Sequence, residues 1–148
     1  MIELVVVTAI MIVIFTFSLP VIQSTITHSH LTEASAVVTG AIQANRYQAI
    51  MRGCPYTIAF FQSGNYQIGT QPITGTPPAC ATSFANVGVP LPWSTSGDVT
   101  LGASTTLQLN PNGTVSATVG SLVLTMTNGA GTKTITVSGV GNVIATGP

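Results

Sequence analysis

From Leu4 to Ile22 the chain carries no charge, and its apolar run is broken only by Thr8, Thr16, Ser18 and Pro20. Nineteen residues at a helical rise of ~1.5 Å cover roughly 28 Å, close to the ~30 Å hydrocarbon thickness of a bilayer, so the pattern predicts a membrane-spanning helix. A secretory signal peptide would show a basic start, a shorter apolar core and a small-residue cleavage site, and the stretch has none of these. Beyond Ile22 the pattern turns amphipathic: Leu31, Ala34, Val38, Ala41, Ile42 and Ala49 recur at spacings that place them on one helix face. Gly53 after Arg52 offers a left-handed stop, and Pro55 cannot continue the helix. One helix over residues 1–53 follows, with 1–22 apolar and 23–53 amphipathic.

The remainder, residues 54–148, reads as β-rich. YTIAFF, the turn SGN and YQIGT form a hairpin signal. Pro72, Pro77, Pro78, Pro90 and Pro92 then mark a loop-rich stretch to about Asp98 in which a central strand is forbidden. TTLQL, TVSATV, SLVLTMT and TKTITVS alternate with period two around the turns NPNG and NGAG. The expected class is α+β: a long N-terminal helix packed on a head made of one twisted antiparallel sheet or two packed sheets.

Composition narrows the function. Three acids (Glu3, Glu33, Asp98) face three bases (Arg46, Arg52, Lys133), a charged fraction of 4% where globular chains have about 25%. With 45% hydrophobic residues the chain folds or inserts and is not disordered. His28 and His30 are two apart and point to different sides of a helix, while Glu33 and Asp98 have no evident basic or nucleophilic company. No enzyme and no cofactor is expected. Two cysteines, Cys54 and Cys80, lack CxxC spacing and give half a metal ligand set at best. In an exported chain they allow one disulfide, which would close a loop of 26 residues.

MIELVVVTAIMIV resembles the mature N-terminus of type IV pilins and pseudopilins, in which a glutamate inside the apolar helix precedes a proline by seventeen residues, as Glu3 precedes Pro20. The resemblance implies that the sequence begins two residues inside the usual mature end. AIQANRYQAIMRGCPYTIAF, LNPNGTV and TKTITVSGVGNVI are similar to the FimT and GspH subfamily. It implies a homopolymeric, type IV pilus-like extracellular filament, joined through Glu3, Leu4, Val5, Val6, Val7, Ile10, Ile14 and Pro20. Glu3 would pair with the α-amino group of a neighbouring subunit and set its register, since an unpaired carboxylate in an apolar core is costly. Pro20, which lacks an amide hydrogen, kinks the helix or extends its segment in a fibre. The partners implied are a prepilin peptidase, inner-membrane assembly machinery and the membrane itself, which holds the precursor before it reaches the bacterial surface.

Two alternatives stand beside the filament subunit. One is a minor pseudopilin of a secretion or pilus machine, and the other a DNA-binding minor pilin. Nucleic acid is a poor fit: Ser138, Gly139, Val140, Gly141 and Asn142 hold no arginine, and only Arg46 and Arg52 could form a small basic cluster. A surface with almost no net charge loses repulsion between particles, which suggests hydrating O-glycans on Ser94, Thr95, Ser96, Ser104, Thr105 and Thr106. The Asn112-Gly113-Thr114 sequon, in a tight turn, is the weaker site.

Overall fold

The computed structural model describes residues 2–76 and 78–147, without the side chains of residues 15–21. Met1, Pro77 and the kink expected at Pro20 therefore lie outside the described residues. Helix α1 runs Ile2–Arg52, with Glu3 in its first turn and Arg52 in its last, each sign matching the helix dipole at its end. It ends at Gly53, whose φ of 67° is the left-handed conformation that a side chain resists.

Among the described residues eleven short strands follow: β1 Tyr56–Phe60, β2 Asn65–Thr70, β3 Ile73–Thr74, β4 Ala79–Cys80, β5 Ala85–Pro92, β6 Thr100–Leu101, β7 Thr105–Leu109, β8 Val115–Val119, β9 Val123–Asn128, β10 Gly131–Val137 and β11 Val143–Thr146. They form a five-stranded sheet in the order β5-β2-β1-β7-β8, a four-stranded sheet in the order β11-β10-β9-β6, and the small ribbon β3-β4. Every pairing is antiparallel. The architecture is the α+β one expected.

The helix packs on both sheets, touching β1 and β7 of one and β9, β10 and β11 of the other. Leu31, Ala34, Val38, Ile42 and Ala49 are buried on its inner face. They meet Tyr56, Ile58 and Phe60 from β1, Leu107 and Leu109 from β7, Leu124 and Met126 from β9, and Ile135 and Val137 from β10 in one core. Each strand supplies alternate residues to that core because successive side chains point to opposite faces.

Five strands go beyond the expectation: the short β3 and β4 and the longer β5 within the stretch read as loop, β6 just after it, and β11 near the C-terminal end. The stretch read as loop contains β5, which lies at a sheet edge, where Pro90 and Pro92 remove no bond from an inner ladder. Its register with β2 shifts between Tyr66 and Ile68, and the buried Gln67 fills the irregularity by donating to the carbonyls of Val87 (3.1 Å) and Gly88 (3.2 Å). Strand β11 extends the other sheet past β10, and β6 closes that sheet's far edge beside β9.

Candidate assembly surface and helix neck

The described side chains of the outer half of α1, residues 2–14 and 22–26, are exposed. Glu3, Leu4, Val5, Val6, Val7, Ile10 and Ile14 are all exposed, Leu4 by 71% and Ile14 by 59%. Ile2, Met11, Ile12 and Val13 are exposed too, so every side of the helix is apolar and uncovered. Thr8 hides its hydroxyl by bonding back to the carbonyls of Leu4 (3.0 Å) and Val5 (2.9 Å), which makes it tolerable in an apolar medium. Among the described residues no helix is long and apolar enough to cross a membrane. The span expected from Leu4 to Ile22 includes the side chains outside that description.

Burial begins at Leu31, and the neck just before it is fastened from two sides. Asn128 Nδ2 donates to the Thr27 carbonyl at 2.6 Å. His30 Nδ1 lies 3.2 Å from Asp98 Oδ2, which corrects the expectation that Asp98 has no company. The hydroxyl of Ser96 also donates to Asp98 Oδ1. That hydrogen bond, with a smaller part from His30, holds the Asp98 carboxyl below the usual aspartate range despite some opposing desolvation.

Further along the helix Arg46 faces inward. Its Nε donates to the Gly113 carbonyl at 2.8 Å and its Nη2 to the Val140 carbonyl at 3.1 Å. Gln43 adds a 3.4 Å bond to the Gly141 carbonyl. Gly113 and Gly141 have φ of 82° and 80°, and a Cβ on Gly141 would run into the guanidinium. One arginine thus ties the β7–β8 turn to the β10–β11 turn and to the helix. Nε and Nη2 of Arg46 are both taken by backbone carbonyls of the head.

Cys54 and Cys80 are bonded, with Cα atoms 5.7 Å apart. The bond pins the β3–β4 ribbon to the end of the helix beside an open cavity of about 280 Å³ lined by Arg52, Gly53, Cys54, Ile73, Pro78, Ala79 and Cys80. Among the described residues no group of three or more potential metal ligands comes together. Of the suggested glycan positions, Ser94 and Thr105 are buried, Ser94 against Ser96 and Thr105 on the core side of β7. Thr95, Ser96 and Ser104 are exposed and Thr106 is half-buried.

The sequence did not disclose the roles of Arg46, Asp98 or Gln67, since their partners lie far along the chain or in an irregular turn. Arg46 left one local signal: it falls four residues after buried Ile42, flanking the apolar stripe where a solvated arginine is out of place.

A long helix, half laid across antiparallel sheets and half projecting as an apolar rod, is the pilin type of arrangement. The family model described as type II transport protein GspH matches residues 34–141, and the chain belongs to that family. No curated protein and no solved structure matches it. The matched span contains Arg46, Gly113, Gly141 and both cysteines, whereas Glu3 and Pro20 lie before it. The family is described by transport rather than by a reaction.

Proposed function

We propose that this GspH-family chain is a subunit of a type IV pilus-like filament and polymerises through the outer half of α1. The observation that carries the reading is the uninterrupted exposure of apolar side chains from Leu4 to Ile14, with only Thr8 and Ala9 of lesser bulk between them. Apolar area left in water costs ~25 cal/mol for each Å², so a medium must cover it. Lipid does so before assembly, and other copies of the helix do so afterwards. Glu3 then lies in a low-dielectric interior, where the chain offers no Lys or Arg before Arg46. A neighbour's terminal amine is the cation within reach, and misregistered subunits are rejected because they leave the carboxylate unpaired.

Glu3→Leu is expected to leave insertion and head folding intact while filaments fall to a small fraction of the wild-type yield in a strain that depends on this subunit. Abundant filaments of unchanged symmetry from that variant would overturn the register role. The family match favours a second reading, an accessory pseudopilin of a secretion apparatus. Quantitative mass spectrometry of sheared filaments separates the two: a filament subunit dominates the material, and an accessory one is present at a few copies for each fibre. The DNA-binding alternative has less support, because two of the Arg46 donors are used by carbonyls of the head.

A further inference from the structure

The segment at 94–98 is a short arm held rigidly at both ends. Trp93 and Val99 are buried on either side of it, and Trp93 Nε1 donates to the Val99 carbonyl at 3.2 Å, closing the arm at its base. Inside it, the hydroxyl of buried Ser94 sits 2.9 Å from that of Ser96 and accepts the Ser96 amide at 3.4 Å. Ser96 in turn holds one oxygen of Asp98, leaving the other to meet His30 on the helix. The arm therefore presents one carboxylate, already oriented, to one imidazole.

The surroundings decide what protonating that imidazole does. Among the charged groups of the adjoining elements, Asp98 comes from the arm and Glu33 lies three residues on along the helix; both are acids. Strand β9 carries no charge, its contact at the neck being the amide of Asn128. Lys133 of β10 forms no ion pair among the described residues. A proton on His30 would meet attraction from both carboxylates and no neighbouring ion pair to compete for Asp98.

We propose that His30 and Asp98 form a pH-sensitive latch at the neck, in which mildly acidic medium turns a hydrogen bond between a neutral imidazole and the Asp98 carboxylate into a full ion pair and fastens the arm to the helix. Protonation adds a unit positive charge directly opposite the carboxylate, and histidine is the side chain whose ordinary titration falls in this range. The depressed titration of Asp98 keeps its carboxylate ionised into more acidic medium, so the latch outlasts the first fall in pH. At neutral to alkaline pH the arm keeps its own bonds but loses the charge on its partner. The latch belongs to the single chain and does not depend on how, or whether, that chain polymerises.

Hydrogen–deuterium exchange of the full chain in neutral detergent micelles tests it, after correction for the intrinsic pH dependence of amide exchange. Protection of peptides covering 94–98 and 27–31 is expected to rise at least about threefold between pH 8 and pH 5.5. The rise disappears in His30→Gln and in Asp98→Asn and survives in His28→Gln, whose ring lies on another side of the helix. The His30 and Asp98 side chains are partly exposed, by 26% and 34%, so both variants fold, and unchanged Trp93 fluorescence verifies it. A flat wild-type profile, an undiminished rise in His30→Gln, or a rise that depends on His28 instead would each overturn the latch.

Discussion

At the scale of single residues, Arg46 concentrates more consequence than any other charged group of the head. Hydrogen bonds to charged groups contribute about 1.5–3 kcal/mol each, and Arg46 supplies two to carbonyls of different turns. Arg46→Ala should therefore destabilise by about 3 kcal/mol, read as a lower urea midpoint. Arg46→Lys should recover only part of the loss, because one ammonium on a flexible stem cannot reproduce the planar fork. Gly141→Ala attacks the same point from the other side, adding a left-handed strain of about 1–2 kcal/mol to a clash with the guanidinium. If Arg46→Ala left the midpoint unchanged, its contacts would be incidental. Asp98 gives the pH counterpart. Its carboxyl titrates lower in the folded chain than unfolded, chiefly because Ser96 donates to it. The stability it contributes is therefore fully present above the ordinary aspartate value of about 3.9 and is lost as pH falls through the lower folded value. Ser96→Ala should reduce that acid-limb dependence in a series of melts from pH 2 to pH 5, and an identical slope would remove the assigned cause.

At the scale of elements, legibility follows from whether a segment has one face in the core. The inner stripe of α1 was readable at Leu31, Ala34, Val38, Ile42 and Ala49, all buried, because period 3.6 survives in the sequence; Ala41 sits at its half-buried margin. Strands β1 and β7 alternate buried and half-buried positions and were readable for the same reason. Strand β5 was not, since all eight of its residues are exposed and its two prolines read as breakers. Those prolines have a use where they stand, for a proline on an exposed edge discourages pairing with another chain. The contacts of Arg46 and Asp98 were illegible for a different reason: their partners lie 67, 94 and 68 residues away, beyond any local period. The β3–β4 ribbon is the weakest element, with two paired positions and one flanking bond from the Ala81 amide to the Pro72 carbonyl. The disulfide closes 26 residues around it, worth about 3.5 kcal/mol in the chain-entropy estimate. A Cys54→Ser, Cys80→Ser chain should keep the two main sheets while trypsin-independent nicking, by a broad-specificity protease, concentrates at residues 71–84. Uniform protection of that segment in the double variant would show that the ribbon holds without its tether.

At the scale of the whole molecule, the structure divides its work at the neck. Side chains 2–14 and 22–26 are exposed, so none of them supports the core, whereas Thr27, His30 and Leu31 are each bound to the head by a carbonyl, an imidazole and a buried side chain. A chain beginning at Thr27 should consequently fold, form the Cys54–Cys80 bond and melt within a few degrees of the full-length protein, while losing any need for detergent. It should also be monomeric, because it lacks the continuous run of exposed apolar side chains at residues 2–14. The truncation also removes Glu3, leaving two acids (Glu33, Asp98) against three bases, so its net charge is +1 where the full chain's is zero, and its isoelectric point lies above the full chain's 6.7. A chain beginning at Thr32 is the informative contrast. It forfeits both neck contacts and the burial of Leu31, and loss of a buried leucine alone costs about 2–5 kcal/mol, so its melting point should drop by roughly ten degrees or more. If the chain from Thr27 proved unfolded, the outer half of α1 would have to stabilise the head through contacts absent here, and its assignment as a surface kept for other copies would fail. If both truncations melted alike, the neck would be no boundary at all.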